Sequence, residues 1–129
     1  MKIEDIKFKA KRLDNGEWII GSFVVMKIPA LSKTTIGIVA AGGATLHEVD
    51  PATVCQFTGL KDCEGKELFE NDLIHFVGHK PIGKVIWSEE NYAFMVASGN
   101  EPLYWLSDVQ EIGKIEIVGN KFDRKEGEK

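Results

Sequence analysis

The chain has 129 residues, one domain by length and enough to bury a core without disulfide or metal staples. Charged residues at 28% and hydrophobic ones at 43% place it among soluble globular proteins, and a net charge of -4 argues against a dedicated nucleic-acid binder, which carries a basic excess. No apolar run approaches the roughly 20 residues that span a bilayer, and no basic-apolar-small leader follows Met1, so a cytoplasmic protein with no membrane partner is expected.

From Ile3 to Arg12 the chain alternates, with Ile6, Phe8 and Ala10 on one face and Lys7, Lys9 and Lys11 on the other. That is the period of a half-buried strand. Asp14-Asn15-Gly16-Glu17 follows, a hairpin signal in which Asn15 and Gly16 are both expected at positive φ. Trp18 to Ile28 is the returning strand, with Gly21-Ser22 a place for it to bend. Pro29 ends it, and β-branched Thr34 to Ala40 predicts another strand. Ala41 to Ala44 is either a plain loop or a hairpin turn whose partner is Thr45 to Val49.

The stretch from Asp50 to Phe76 is densest in turn chemistry. Asp50-Pro51 opens a turn, Val54 to Phe57 is a short apolar strand, and Thr58-Gly59 is expected to break it. Asp62-Cys63-Glu64-Gly65 is a turn with Gly last, Glu67 to Asn71 is one ambiguous turn, and Asp72 to Phe76 is the next strand. Gly78-His79-Lys80-Pro81 then turns before strands at Ile82 to Trp87, Tyr92 to Ala97 and Leu103 to Leu106, with turns at Ser88 to Asn91 and Ser98 to Pro102. Ser107-Asp108 is a capping signal with too short a segment behind it, and Ile112 to Val118 alternates again with Ile115 and Ile117 inward. Short strands separated by Gly, Asn and Pro turns imply a sandwich or small barrel. Phe57, Phe69, Phe76, Trp87, Phe94 and Trp105 are its expected aromatic core. The seam between layers falls near Asp50, which separates a hairpin layer (1–49) from a turn-dense half (50–120) and a charged, frayed tail (121–129).

Each chemical signal has a plainer reading. His75 and His79 have a ligand spacing for a helix but lie at a strand end with no completing Cys or carboxylate, and His47 is isolated. Ala41-Gly42-Gly43-Ala44-Thr45 lacks the Gly-Lys-Ser/Thr ending of a phosphate loop. Glu64, Glu67, Glu70 and Asp72 cluster where turns favour carboxylates anyway. Cys55 reads as buried and Cys63 as exposed; free thiols are expected, with a bridge across the Gly59 turn the geometric alternative. Lys7, Lys9, Lys11 and Arg12 beside Trp18 would suit phosphate contact with base stacking. The plainer account is that lysines near a sheet edge block edge pairing, and the acidic total favours it. These residues contain no catalytic set and no cofactor pattern, so no enzyme is expected.

The quoted residues together resemble the YopX family of phage and prophage proteins. Asp50-Pro51-Ala52-Thr53-Val54-Cys55-Gln56-Phe57-Thr58-Gly59-Leu60-Lys61-Asp62, then Gly65-Lys66-Glu67-Leu68-Phe69-Glu70-Asn71-Asp72-Leu73-Ile74, is similar to its central signature. Ile6 to Ala10 with Trp18 and Gly21 fits its N-terminal hairpin, and Ile117-Val118-Gly119-Asn120 its ending. Asn71 stands where the family usually has Gly, a swap that suits a left-handed position. The resemblance implies a mainly β protein of antiparallel hairpins, with an SH3-like small barrel in the C-terminal half, self-assembling in the host cytoplasm. It implies no activity. Its signature residues Asp50, Pro51, Thr53, Gln56, Thr58, Gly59, Leu60, Asp62, Gly65, Glu70, Asn71 and Asp72 would be fold determinants. Gly59, Gly65 and Asn71 would set turns, Asp62 and Asp72 would bond turn backbone, and Leu60, Phe69 and Leu73 would pack beneath. The expected role is a homo-oligomeric interaction module for an unknown protein partner. A nucleic-acid-binding barrel using Lys7, Lys9, Lys11, Arg12 and Trp18 is the alternative.

Overall fold

The structure is a computed structural model and describes residues 2–76, 79–99, 101–112 and 114–123. The chain divides into two compact units, Met1–Phe57 and Thr58–Lys129. This division and the sequence seam near Asp50 bracket a 3-10 turn at Pro51–Thr53 and the first residues of a strand.

The first unit is an antiparallel meander of β1 (Phe8–Lys11), β2 (Trp18–Ile28), β3 (Lys33–Ala40) and β4 (Leu46–Glu48), ordered β4-β3-β2-β1. On its other flank β1 pairs with the start of β5 (Cys55–Lys61), Phe8 opposite Gln56 and Lys9 opposite Cys55. Alternation drives the core to one face of this meander. Ala10, Ile38 and Val49 are buried there, and Phe8, Ile19, Ile36 and Val54 pack around them. The strand expected from Ile3 begins only at Phe8, because Ile3–Asp5 forms a 3-10 turn and Ile6 stays exposed.

The first hairpin closes differently from the Asn-Gly expectation. Arg12 N–H donates to Glu17 O, Gly16 N–H donates to Arg12 O, and of Asn15 and Gly16 only Gly16 is left-handed, at φ 72°. A loop of this length is built around a type I turn and needs a positive φ only at its end. Pro29–Leu31 makes a 3-10 turn that returns β2 into β3, with Ser32 left-handed at φ 49°. Of the two readings of Ala41 to Ala44, the hairpin is the one formed, since β4 pairs with β3.

The second unit holds the rest of β5, then β6 (Glu67–Phe69), β7 (Asp72–Phe76), β8 (His79–Ser88), β9 (Ala93–Ser98), β10 (Glu101–Trp105), α1 (Leu106–Ile112) and β11 (Glu116–Asn120). Five strands form an antiparallel sheet in the order β10-β9-β8-β7-β11. Its core is Leu68, Ile74, Val85, Val96, Leu106, Val109 and Ile115. The fold is therefore mainly β with few helices, as the punctuation of the sequence implied. No described pairing joins β10 to β11, so the sheet is open there and the expected closed small barrel is not formed by these pairings.

Several local expectations change. Thr58-Gly59 does not break its strand: β5 continues to Lys61, with Gly59 at φ 89° acting as a kink inside it. Part of the ambiguous turn is strand β6. The turn placed at Gly78 to Pro81 is strand from His79 onward, where His79 faces Phe76; Gly78 itself lies outside the described residues. Leu106 opens a helix rather than ending a strand, and Ile112 belongs to that helix rather than to the last strand. Of the aromatic core, Phe57 and Phe69 are buried and Phe76 and Phe94 half-buried, but Trp87 is 39% exposed and Trp105 44%. Trp105 sits on the edge strand β10, and Trp87 near the end of β8 leans edge-on against Phe94 at 5.1 Å. Of the tail, residues 121–123 form a turn and bend, and the remainder lies outside the described residues.

Gly21 shows how closely the meander is packed. A Cβ there would collide with the Val39 carbonyl across the β2–β3 pairing, although the register runs through Gly21 without a shift. Gly21→Ala is expected to cost about 1–3 kcal/mol, as overpacking does, read as a lower urea midpoint at unchanged slope.

Candidate functional site

The signature residues fall into a clamp in each unit. In the first, Asp50 is the cap of the 3-10 turn: its Oδ1 accepts from Ala52 N–H at 3.0 Å, and Pro51, with no N–H to satisfy, stands at the first helical position. Asp50 O accepts from the Thr53 hydroxyl at 2.7 Å, and the Thr53 Oγ1 in turn accepts from Lys11 N–H at 2.9 Å. Asp50 N–H donates to Lys11 O at 2.9 Å. The Asp-Pro-Ala-Thr run thus fastens the end of β1 to the segment that starts β5. Gln56 lies half-buried opposite Phe8.

In the second unit Thr58 Oγ1 donates to Leu68 O at 2.7 Å and accepts from Leu60 N–H at 3.2 Å, spanning the kink at Gly59. Leu60 packs against the core beneath, Phe69 is buried and Leu73 half-buried. Gly65 takes φ 84° and donates its N–H to Asp62 O, as the turn at this position requires. Asn71 takes φ 71°, the left-handed conformation expected of a residue replacing Gly. Its N–H donates to Val85 O at 2.7 Å and its carbonyl accepts from Lys121 N–H at 2.9 Å. Glu70 is half-buried beside it.

The two signature aspartates hold the ends of this unit together. Asp62, 7% exposed, accepts from Glu64 N–H at 2.9 Å and Lys66 N–H at 2.8 Å on Oδ1, and from Ile117 N–H at 3.4 Å on Oδ2. Burial alone would raise the carboxyl, but the amides of Lys66, Glu64 and Ile117 and the Lys66 charge outweigh it and hold it below the ordinary aspartate value. Asp72, 2% exposed, accepts from Phe69 N–H at 2.7 Å and from Asn120 Nδ2 at 2.9 Å, while Asn120 Oδ1 accepts from Phe122 N–H. The sequence signals the partner strand only through its Ile-Val-Gly-Asn ending, where Asn120 closes an alternating run. The Asp62 to Ile117 and Asp72 to Asn120 links were not legible as pairs.

The lysine stripe is brought together, but in another setting than expected. β1 is flanked on both sides, by β2 and by β5, so its lysines do not guard a sheet edge. They lie half-buried on one face with their ammonium groups over aromatic rings: Lys7 at 4.7 Å from Phe57, Lys9 at 4.5 Å and Lys11 at 5.3 Å from Trp18. Such contacts are worth about 0.5–1 kcal/mol each when exposed. Arg12 stands apart in a two-pronged pair with Asp14, Nε to Oδ1 at 2.9 Å and Nη2 to Oδ2 at 2.5 Å. The hydrogen bonding to Arg12 outweighs the opposing desolvation and, with the Arg12 charge adding to it, holds the Asp14 carboxyl below its ordinary value.

Recesses in the first unit are shallow. One of about 370 Å³ is lined by Leu13, Asp14, Leu46, His47 and Glu48, and a neighbouring one of about 240 Å³ shares Leu13 and Glu48. Among the described residues no group of three or more His, Cys, Asp or Glu side chains is placed to hold a metal ion, and the side chain of His79 lies outside them. Cys55 is buried and Cys63 exposed, both as free thiols. Among the described residues no helix is long and apolar enough to cross a membrane.

These features define a mainly β protein of antiparallel hairpins in which the signature side chains of Asp50, Thr53, Thr58, Asp62 and Asp72 are bonded to its own backbone. The chain belongs to the YopX family: the family model described as YopX protein matches residues 7–126, nearly the whole chain. No curated protein matches it.

Because Asp62 is held below its ordinary value when folded, its stabilising effect is full above the unfolded carboxylate value and is lost as pH falls through the lower folded one. Asp62→Asn is expected to destabilise the protein by about 1–3 kcal/mol at neutral pH, since an amide replaces an acceptor facing Ile117 N–H. Its acid unfolding should also be shallower below about pH 4, the carboxylate range. Urea titrations of both proteins at neutral and acid pH read the two effects.

Proposed function

We propose that this chain is a phage- or prophage-encoded protein of the host cytoplasm that works without catalysis, as a self-assembling module that binds another macromolecule. The observation that carries this reading is the use of the signature carboxylates. Asp62 and Asp72 are buried and accept from backbone and amide groups of their own unit, which fits scaffold residues better than acid and base. The strands also offer apolar side chains outward: Ile20, Val25, Met26, Leu103, Tyr104 and Trp105 are all more than 40% exposed. Family membership supports the phage origin. The order β10-β9-β8-β7-β11, with the last strand beside β7 and a short helix just before it, supports an SH3-like arrangement of the second unit.

A nucleic-acid surface at Lys7, Lys9, Lys11, Arg12 and Trp18 fits less well. The ring faces on which bases would stack are those the lysine ammonium groups lie over, and Arg12 is paired with Asp14. Fluorescence anisotropy with labelled single strands and duplex at low salt is expected to show no change between wild type and a Lys9→Glu, Lys11→Glu variant. Salt-sensitive binding lost in that variant would favour the nucleic-acid reading instead.

For the main reading, light scattering behind size exclusion at roughly tens of micromolar should give a mass of two or more chains, within the affinity of an ordinary assembly. A mass of one chain at that concentration would overturn self-assembly.

A further inference from the structure

The open edges of these strands are protected unequally. β4 and β6 have three residues each, and β10 and β11 carry register shifts, between Pro102 and Tyr104 and between Ile117 and Gly119. Pro102 also lacks the N–H that a neighbouring strand would need. Short edges, bulges and proline are the ordinary means of preventing edge pairing. β2 differs from all of these. β1 covers its flank only from Trp18 to Gly21, while pairing with β3 continues unbroken to Ile28. Among the described residues no strand pairs with the other flank of residues 22–28.

The hydrogen-bond phase identifies which groups that flank presents. Arg12 N–H to Glu17 O makes Arg12 and Glu17 a hydrogen-bonded pair, so the odd-numbered residues of β2 aim their backbone groups toward the β1 side. Beyond Gly21 those residues are Phe23, Val25 and Lys27. The segment Ser-Phe-Val-Val-Met-Lys-Ile has no Pro, no Gly and a single charge, and Val25 and Met26 are 49% and 45% exposed. A regular flank of β-branched and apolar residues is a template for another strand.

We propose that the strand it takes is the same segment of a second copy, paired antiparallel about a two-fold axis at Val25. This inference rests on the self-assembly proposed above and names its surface. In that register Val25 meets Val25 of the second copy, Val24 meets Met26, and Phe23 meets Lys27. The one charge of the segment then lies opposite an aromatic ring and never opposite itself, whereas an axis at Lys27 would set like charges face to face. Pairs at Phe23, Val25 and Lys27 exchange about six backbone hydrogen bonds, which uses every donor and acceptor on the open flank. Self-complementarity of this kind is what a two-fold interface demands.

The test uses the full chain. Residues directly opposite in a hydrogen-bonded antiparallel pair have Cα atoms about 5.5 Å apart, within disulfide reach. In a Cys63→Ser background, Val25→Cys should form a covalent dimer on mild oxidation, in at least about ten-fold greater yield than Met26→Cys or Leu103→Cys, because only the residue on the axis meets its own copy. Separately, Val25→Lys should lower the mass measured by light scattering to half or less of wild type, with circular dichroism unchanged. If that variant does not fold, the cysteine comparison decides. A wild-type assembly that Val25→Lys leaves intact, or cross-linking that favours Leu103→Cys, overturns this surface while self-assembly stands. A wild type that is a single chain overturns both.

Discussion

Amides drawn in under a turn must be satisfied locally, and in the second unit this falls to two carboxylates. Asp62 accepts from the part-buried amides of Glu64 and Lys66, and Asp72 from the buried amide of Phe69. An unmatched buried amide costs about 1–3 kcal/mol, so leaving this set unmet would consume much of the margin of a small domain. An ionised carboxylate suits the position because it accepts on both oxygens and donates on neither. Burial opposes its charge, yet the amides aimed at Asp62 more than offset that, which is why its carboxyl lies below the ordinary value.

The same two side chains also tie distant parts of the sequence. Asp62 reaches Ile117 and Asp72 reaches Asn120, separations of 55 and 48 residues. A local turn motif and a terminal strand are therefore one hydrogen-bonded object, and β11 is held beside β7 at its far end as well as along its ladder. The first unit solves a related problem with one carboxylate and a hydroxyl: Asp50 caps Ala52 N–H, and Thr53 passes a hydrogen bond from Lys11 N–H to Asp50 O. There the clamp fixes where β1 ends and β5 begins.

Much of this was legible because strands leave a period of two and turns leave Gly, Asn, Asp and Pro. β2 and β7 begin and end where the flanking turn residues marked them, and Asn71 is left-handed where a Gly would be usual. The failures share a cause: the same residue serves two geometries. Gly59 at positive φ reads as a strand end, but the identical conformation kinks a strand that continues. Lysines alternating along β1 read as edge protection, yet alternation alone cannot say whether a strand has one neighbour or two. Trp87 and Trp105 read as core because aromatic residues favour burial, while their exposure depends on strand order, which no local pattern carries. The helix α1, at seven residues, is too short for a 3.6-residue period to show.

The lysine stripe shows how a charge pattern changes meaning once strand order is known. On an edge, Lys7, Lys9 and Lys11 would hold their charges in water and repel a neighbouring strand. On a strand paired on both flanks, their aliphatic stems lie along the sheet and their ammonium groups come to rest over Phe57 and Trp18. The half-buried basic face is then part of the packing of the first unit, and protection from pairing is left to other strands. β4 is short and β10 is bulged and bears a proline, but the far half of β2 has neither device. With Asp62 and Asp72 occupied by backbone and the lysines by rings, recognition by this fold passes to the main chain of the β2 flank that no described strand covers.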